Sequence, residues 1–367
     1  MIYDFAPKLA HLLTTHVVPV QKGDFVVIET TAQAMPMIEA LTAAIIERGG
    51  IPHPVINLPL LDEYFAQHAA DEELEFINPI DIALMEKADV LFNIDAPEHT
   101  GHMMSVSSEK LAKFSKTRQA SLEVFFRRIS DGSLRWNTST WLTAARAQQA
   151  GRSFYNYERF LYEAYALHLD DPVNYWTQMA ERQGRLVEWL TGKSQIEVRG
   201  PGIDLSLSCA GRTWYSAHGE GNLPDGEILT CPIEDSVNGF IEFSYPTYYQ
   251  GNRVENVRLV YKDGLIVEAS ADKGEAYLLS QMNMDENARR MGEFAIGTND
   301  FIQEVTGLTL LDEKIGGTIH MAIGQSAAPA EGKNPSKIHW DMVHNMRNGG
   351  EIRVDGTLMY QNGKFLI

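Results

Sequence analysis

Residues 24–58 read DFVVIETTAQAMPMIEALTAAIIERGGIPHPVINL, and this stretch decides the fold of the first half of the chain. Its opening, DFVVIET (24–30), is a short apolar strand. AQAMPMIEALTAAIIERGG (32–50) follows with helix-spaced apolar positions and closes on Gly49-Gly50, a helix stop. IPHPVINL (51–58) supplies a second strand. Strands alternating with helices predict crossovers and a mainly parallel sheet. ADVLFNIDA (88–96), after a helical stretch near 71–87, continues the alternation. Residues 3–19, 107–130 and 154–191 read as helices. No GxGxxG or Walker pattern follows any of these strands, so nucleotide binding has no local support.

The character changes near Thr191-Gly192. From residue 194 the pattern is short strands and turns: QIEVRG (195–200), IDLSLSC (203–209), GFIEFSY (239–245), VENVRLVYKDG (254–264) and LIVEASA (265–271). Lys262-Asp263-Gly264 is a hairpin signal between two of them. The expected architecture is an α/β N-terminal domain with a mainly parallel sheet over residues 1–192. A strand-rich α+β C-terminal domain is expected over residues 193–367.

Composition narrows the function classes. A chain of 367 residues suits two domains with a sizeable core. Its net charge of −18 argues against sequence-independent nucleic-acid binding, which needs a basic surface to displace counterions. The same acidity mildly attracts a substrate carrying a free ammonium group. Two cysteines, Cys209 and Cys231, are fewer than a secreted disulfide scaffold of this size carries. MIYDFAPKLAHLLTTHVVPV (1–20) has charges and histidines within its apolar pattern and reads as an amphipathic helix, not a signal peptide. No apolar run reaches the ~18 residues of a membrane span. The expectation is a cytoplasmic protein with neither nucleic acid nor membrane as a partner.

Carboxylates and histidines gather beside glycine-rich turns in the second half. NLPDGEILTCP (222–232) carries Glu227, RMGEFAIGTN (290–299) carries Glu293, GGTIHMAIG (316–324) carries His320, and KIHWDMV (337–343) carries His339 and Asp341. H-x-D on a strand puts both side chains on one face, with Cα atoms roughly 6.5–7 Å apart. That suits two ligands reaching one divalent ion at ~2.1 Å. Two glutamates, two histidines and an aspartate suit a pair of zinc-like ions sharing a carboxylate. Each residue also has an ordinary reading. A Glu after a Pro-Asp-Gly turn is usually solvated, and a lone His in an apolar strand is usually a hydrogen-bonded core residue. His16, His53, His99, His102, His168 and His344 show no ligand-like grouping. The His99-Thr100-Gly101-His102 pair reads as loop polarity.

At these residues the chain resembles the M29 family of metallo-aminopeptidases, the aminopeptidase T and aminopeptidase S group. The phrases that carry the resemblance run through the C-terminal half in the family's order: LPDGEILTCPIEDSVNGFIEFSYP (223–246), VRLVYKDGLIVEASADKG (257–274), MGEFAIGTN (291–299), LLDEKIGGTIHMAIG (310–324), GKNPSKIHWDMV (332–343) and EIRVDGTLMYQNGKF (351–365). YDFAPKLAHLL (3–13), VQKGDFVVIE (20–29) and NYERFLYEAY (156–165) extend it more loosely. The resemblance implies a hydrolase that removes residues from peptides with a free N-terminus, through water activated by two divalent ions. Zinc or cobalt would be the ions, with manganese or magnesium as alternatives. It implies a homodimer whose contact lies mainly in the C-terminal domain. Carried over by position, Glu227, Glu293, His320, His339 and Asp341 are the metal ligands, with Glu293 bridging the two ions and contributing to water activation. Asp235, Ser236 and Asn238 in DSVNG are expected substrate contacts, although a turn between strands accounts for them equally well.

One position departs. Seven residues after the first ligand histidine the family commonly has a tyrosine, thought to donate a hydrogen bond to the developing oxyanion; here that position is Ala327. This makes a weakly active or non-catalytic metal-binding homologue one alternative, unless Tyr245, Tyr248 or Tyr249 substitutes. The other alternative is a ring-cleaving dioxygenase on the same scaffold, with one iron held by two histidines and an aspartate. Such enzymes carry a histidine where this chain has Glu293, so the glutamate favours two hydrolytic ions.

Overall fold

The computed structural model describes residues 2–327 and 330–367. The chain forms two compact units. One comprises Met1–Val173 with Gly219–Pro224, and the other Asn174–His218 with Asp225–Ile367.

The first unit is built on five parallel strands: β1 (Phe25–Thr31), β2 (Ile51–Asn57), β3 (Val90–Asp95), β4 (Arg135–Thr140) and the two-residue β8 (Asn222–Leu223), in the order β2-β1-β3-β4-β8. The crossover expected from residues 24–58 is present. β1 and β2 pair parallel from Phe25 opposite Ile51, joined by the helix Met35–Glu47. That helix buries Met37, Ile38, Leu41 and Ile45, one stripe at helical spacing. β1 and β3 are continuous apolar runs because Val26, Val27, Ile28, Val90, Leu91 and Phe92 are buried within the sheet layer.

β4 has no apolar run to announce it. Its sequence RWNTST is polar, yet Asn137, Ser139 and Thr140 are buried. Their polar groups are matched internally: Ser139 Oγ donates to Asn137 Oδ1 at 2.6 Å, and the Thr140 amide donates to Tyr165 Oη at 3.0 Å.

The second unit is mostly antiparallel. An eight-stranded sheet runs β14-β13-β10-β6-β5-β18-β19-β20. Its strands are β5 (Gln195–Gly200), β6 (Ile203–Ser208), β10 (Asn238–Glu242), β13 (Arg258–Lys262), β14 (Leu265–Ser270), β18 (Glu351–Val354), β19 (Thr357–Gln361) and β20 (Lys364–Phe365). A five-stranded sheet runs β17-β16-β15-β9-β7, from β7 (Tyr215–Ala217), β9 (Glu227–Thr230), β15 (Met291–Gly297), β16 (Thr318–Gly324) and β17 (His339–Asn345). β11 (Thr247–Tyr249) and β12 (Asn252–Val254) form a separate hairpin. One apolar cluster takes Ile196, Val198, Leu205 and Ile241 from the larger sheet and Ile228, Phe294, Ile296, Ile319, Met321, Trp340 and Met342 from the smaller.

The residues 154–191 form two helices, Phe154–Ala164 and Pro172–Leu190. The second buries Trp176, Met179, Gln183, Leu186 and Leu190, alternating three- and four-residue steps. Leu186 and Leu190 join the apolar cluster of the second unit. The helix therefore packs with the residues that follow it, and the second unit starts at Asn174, upstream of the 192/193 division drawn from composition. The return of Gly219–Pro224 to the parallel sheet through β8 is a further departure from a single cut.

The pairing of β15 with β16 slips between Met291 and Glu293, a bulge centred on Gly292. A Cβ on Gly292 would run into the carbonyl oxygens of Gly324 and Gln325, which are backbone and cannot swing away. Gly292→Ala is expected to destabilise the protein by about 2 kcal/mol or more. Denaturant titration with unchanged midpoint would show that the bulge tolerates a side chain.

Candidate metal centre

Side chains alternate across a strand, and the smaller sheet uses this to separate two chemistries. Ile228, Phe294, Ile319, Met321, Trp340 and Met342 face the apolar cluster. The residues of opposite parity, Glu227, Glu293, His320, His339 and Asp341, occupy the other face. Register keeps them adjacent: Glu293 and Asp341 both stand opposite Ala322, and His339 stands opposite Gly324. The bulge at Gly292 turns Glu293 toward its neighbours, a use of bulges common beside active sites.

The five side chains converge. His320 Nε2 is 3.0 Å from Glu227 Oε2 and 3.2 Å from Glu293 Oε1. His339 Nε2 is 3.7 Å from Glu293 Oε2 and 3.3 Å from Asp341 Oδ2. One oxygen of Glu293 thus faces each histidine. Two groups able to hold a cation follow, Glu227–Glu293–His320 and Glu293–His339–Asp341, with Glu293 common to both.

The donor set passes two tests of fit. Ligands bound tetrahedrally at ~2.1 Å stand ~3.4 Å from each other, which matches these separations. Among the described residues, Asp341 Oδ1 is buried without a hydrogen-bond partner, leaving a charged oxygen for a cation to satisfy.

Outer contacts aim the ligands. His339 Nδ1 lies 2.7 Å from the Gln325 carbonyl oxygen, so Nδ1–H donates there and Nε2 is turned to the carboxylates. Trp340 Nε1 donates to Thr247 Oγ1 at 2.7 Å, and Thr247 Oγ1 donates to the Asp341 carbonyl oxygen at 2.9 Å, anchoring β17 from its other face.

Three further charged residues belong to the cluster and were not singled out from the sequence. Lys314 Nζ contacts Glu227 Oε1 at 2.5 Å, Glu313 Oε1 at 2.9 Å and Asp225 Oδ1 at 3.4 Å. Glu313 also forms a third ligand-type group with His320 and Asp341. The segment LLDEKIGG reads as a charged turn, and only the antiparallel return of the chain brings it beneath β9 and β16. Its one sequence signal is an acid–base pair flanked by apolar residues and glycines.

Burial and charge compete throughout. Burial raises the Glu227 carboxyl, but Lys314 and His320 outweigh it and bring it to about 2. Asp341 follows the same course, lowered to about 2 by His339. Burial raises Glu293, and the Asp341 and Glu227 charges add to it. Burial pushes Glu313 up to about 8. For His339 burial acts downward, but Asp341 and Glu293 raise it to about 10. His320 is raised well above the usual histidine value by Glu227 and Glu293, again against burial.

The expected substrate contacts lie in or beside a turn and make hydrogen bonds there. Ser236 Oγ donates to the Ile233 carbonyl oxygen at 2.7 Å, and Asn238 accepts from the Asp263 amide at 2.9 Å. Asp235 lies in the same turn. Ala327 is half-buried against Leu229, Cys231, Ala295 and Ala330. Of the three tyrosines considered as substitutes, Tyr249 stacks on Trp340 with centroids 5.1 Å apart, and Tyr248 lies under Arg253. Tyr215 packs against the same cluster as Ala327 and shares a cross-strand row with Leu229, Ala295 and His320. His99 and His102 fold onto their own loop, His102 Nδ1 lying 3.2 Å from the His99 carbonyl oxygen.

Residues 5–365 match the family model described as thermophilic metalloprotease (M29). The chain belongs to the M29 metallopeptidase family. As an M29 member it is an enzyme, a hydrolase of peptide bonds. It is 25% identical to Aminopeptidase 2 of Geobacillus stearothermophilus over 95% of this chain and 93% of that protein. Among solved structures it superposes on wild-type AmpT from Thermus thermophilus with a TM-score of 0.88 at 22% identity, covering 100% of both chains. It also resembles 2,5-dihydroxypyridine dioxygenase from Pseudomonas putida, with a TM-score of 0.56 at 14% identity over 99% of this chain and 96% of that one. The two structural likenesses establish a shared fold. Among the described residues, no helix is long and apolar enough to cross a membrane.

The raised histidines give the M29 centre a pH signature. In the apoprotein both rings are biased toward the charged form, His339 raised to about 10 by Asp341 and Glu293 and His320 raised well above the usual histidine value by Glu227 and Glu293. A divalent ion needs the neutral ring, so uptake must expel those protons and affinity must fall as pH falls. Zinc titration by calorimetry in buffers of different ionisation enthalpy should register proton release of about one or more per chain, the one from His339 at least. Release well below one proton would mean that these rings do not bind the ion.

Proposed function

We propose that this chain is a metal-dependent aminopeptidase that removes N-terminal residues from peptides. Two divalent ions would be held by Glu227, Glu293 and His320 on one side and by Glu293, His339 and Asp341 on the other. The observation that carries this reading is the Glu293 carboxylate, whose two oxygens face two different histidines at 3.2 and 3.7 Å. A carboxylate common to two ligand groups suits a bridged pair of ions. When bound, such a pair polarises a peptide carbonyl and makes water a nucleophile near neutral pH.

The protein's own groups account for the rest. Buried carboxylates outnumber cationic side chains around the centre, which suits a substrate presenting a free α-ammonium. The acid-rich donor set also favours hydrolysis over the single-iron alternative. A ring-cleaving oxygenase needs two histidines and one carboxylate with open positions, and here Glu227 and Glu293 crowd the same histidines. The relatives' names support the choice of an amino-terminal substrate.

Fluorogenic amino-acyl amides, assayed after adding zinc or cobalt, test the proposal directly. Activity should vanish on chelation and return with the ion, and an N-acetylated peptide should resist cleavage. Glu293→Gln should lower kcat/KM by about 10²-fold or more, since a neutral amide cannot bridge two cations as a carboxylate does. Wild-type turnover in that variant, or equal cleavage of acetylated and free peptides, would refute the assignment.

The vacancy at Ala327 bears on turnover. A methyl group donates no hydrogen bond, and one oxyanion donor is worth about 10²–10³ in kcat. Ala327→Tyr is expected to raise kcat with little change in KM, the pattern of a contact made only in the transition state. Tyr215→Phe in the wild-type background shows whether the tyrosine packed on the same cluster already fills the role. A large loss in Tyr215→Phe together with no gain in Ala327→Tyr would assign the donor to Tyr215.

A further inference from the structure

Lys314 stands beneath the ligand face with its side chain 1% exposed. An ammonium has three N–H bonds and accepts none. Here Nζ donates to Glu227 Oε1 at 2.5 Å and forms ion pairs with Glu313 Oε1 at 2.9 Å and Asp225 Oδ1 at 3.4 Å. A buried ammonium is tolerated only when such partners fix it, so its position is over-determined.

This has a consequence for coordination. Glu227 Oε1 is engaged by Lys314, while Oε2 faces His320 Nε2 at 3.0 Å. The carboxylate cannot turn both oxygens to one ion without giving up the ammonium. Glu313 forms a ligand-type group with His320 and Asp341, yet its Oε1 is also held by Lys314. Asp225 is held in the same way. Two ligand-type carboxylates, Glu227 and Glu313, and the neighbouring Asp225 are thus paired with a protein cation.

We infer that Lys314 is a positioning residue that sets metal selectivity: it fixes Glu227 as a one-oxygen ligand and keeps Glu313 and Asp225 out of the ligand set. The inference rests on the metal-centre reading proposed above. Its chemical content is a bias toward ions content with few ligands, such as zinc and cobalt. Ions that take six or more oxygens, such as calcium, and to a lesser degree manganese, would be disfavoured.

The test compares wild type, Lys314→Met and Lys314→Gln in the full-length protein. Affinities for Zn²⁺, Mn²⁺ and Ca²⁺ are measured by competition, and the visible absorption of the Co²⁺-loaded protein is recorded. Removing a positive charge strengthens binding of every divalent ion alike, so the informative quantity is the ratio of affinities. In Lys314→Met the Ca²⁺-to-Zn²⁺ and Mn²⁺-to-Zn²⁺ affinity ratios should rise about tenfold or more, and the Co²⁺ bands should weaken as coordination number grows. Lys314→Gln, which keeps N–H donors for one carboxylate, should fall between the two. If Lys314 is purely structural, its removal changes stability and shifts all affinities together, leaving ratios and the Co²⁺ spectrum unchanged; that result overturns the inference. If Lys314→Met does not fold, Lys314→Gln decides alone, with a ratio shift of about threefold expected and none overturning. Wild type that binds neither Zn²⁺ nor Co²⁺ would instead sink the metal-centre reading itself.

Discussion

The second unit is organised around one electrostatic constraint: carboxylates brought together out of water must be matched by positive charge. Asp225, Glu227, Glu293 and Asp341 are all buried, and Glu313 lies beside them. Lys314 is one permanent cation among them. The carboxylates outnumber this ammonium, an excess that bound cations would offset. The protein's own response points the same way. Burial pushes Glu293 and Glu313 up, and the two histidines are drawn toward their charged forms. Such an arrangement weakens a fold that has no further cation to offer it, so function and stability are coupled at this spot.

The antiparallel sheet is what makes the arrangement buildable. β9, β15, β16 and β17 each give one parity of side chains to the apolar cluster and the other to the candidate centre, so the candidate ligands stand on a packed floor. Candidate ligands drawn from four strands, β9, β15, β16 and β17, depend on register, and a slip by one residue would send all of one strand's candidates into the apolar cluster. Anchors such as Trp340–Thr247–Asp341 therefore fix the chemistry as well as the packing.

What could be read in the sequence follows from how local the cause is. The parallel crossover is legible because strand, helix stop and strand are consecutive in residues 24–58. The pairing of His339 with Asp341 is legible because period two is a local property of a strand. Glu227, Glu293 and His320 each have an ordinary reading alone, and the resemblance to M29 enzymes is what joined them. Lys314 and Glu313 stayed hidden because DEK looks solvated until the chain returns beneath the sheet. β4 was missed because polar residues matched by internal hydrogen bonds carry no apolar signal. The helix Pro172–Leu190 is legible as a helix, but its apolar stripe does not say which core it meets.

The turn after β16 shows how tightly backbone and ligand are joined. Gly324 has φ +90°, and a Cβ there would collide with the Ile338 carbonyl oxygen. The glycine lets the chain close against β17, so the Gln325 amide donates to that same carbonyl at 2.5 Å. The Gln325 carbonyl oxygen then meets His339 Nδ1 at 2.7 Å. A backbone conformation open to glycine thereby selects the tautomer of a histidine on the neighbouring strand and leaves its Nε2 for the centre. Ala327 lies two residues beyond Gln325, and its carbonyl oxygen accepts from Cys231 Sγ at 3.5 Å and from the Ala330 amide at 3.2 Å. A side chain restored at residue 327 would start from a position already referenced to His339, which makes that position a sensitive place to change turnover without rebuilding the ligand set.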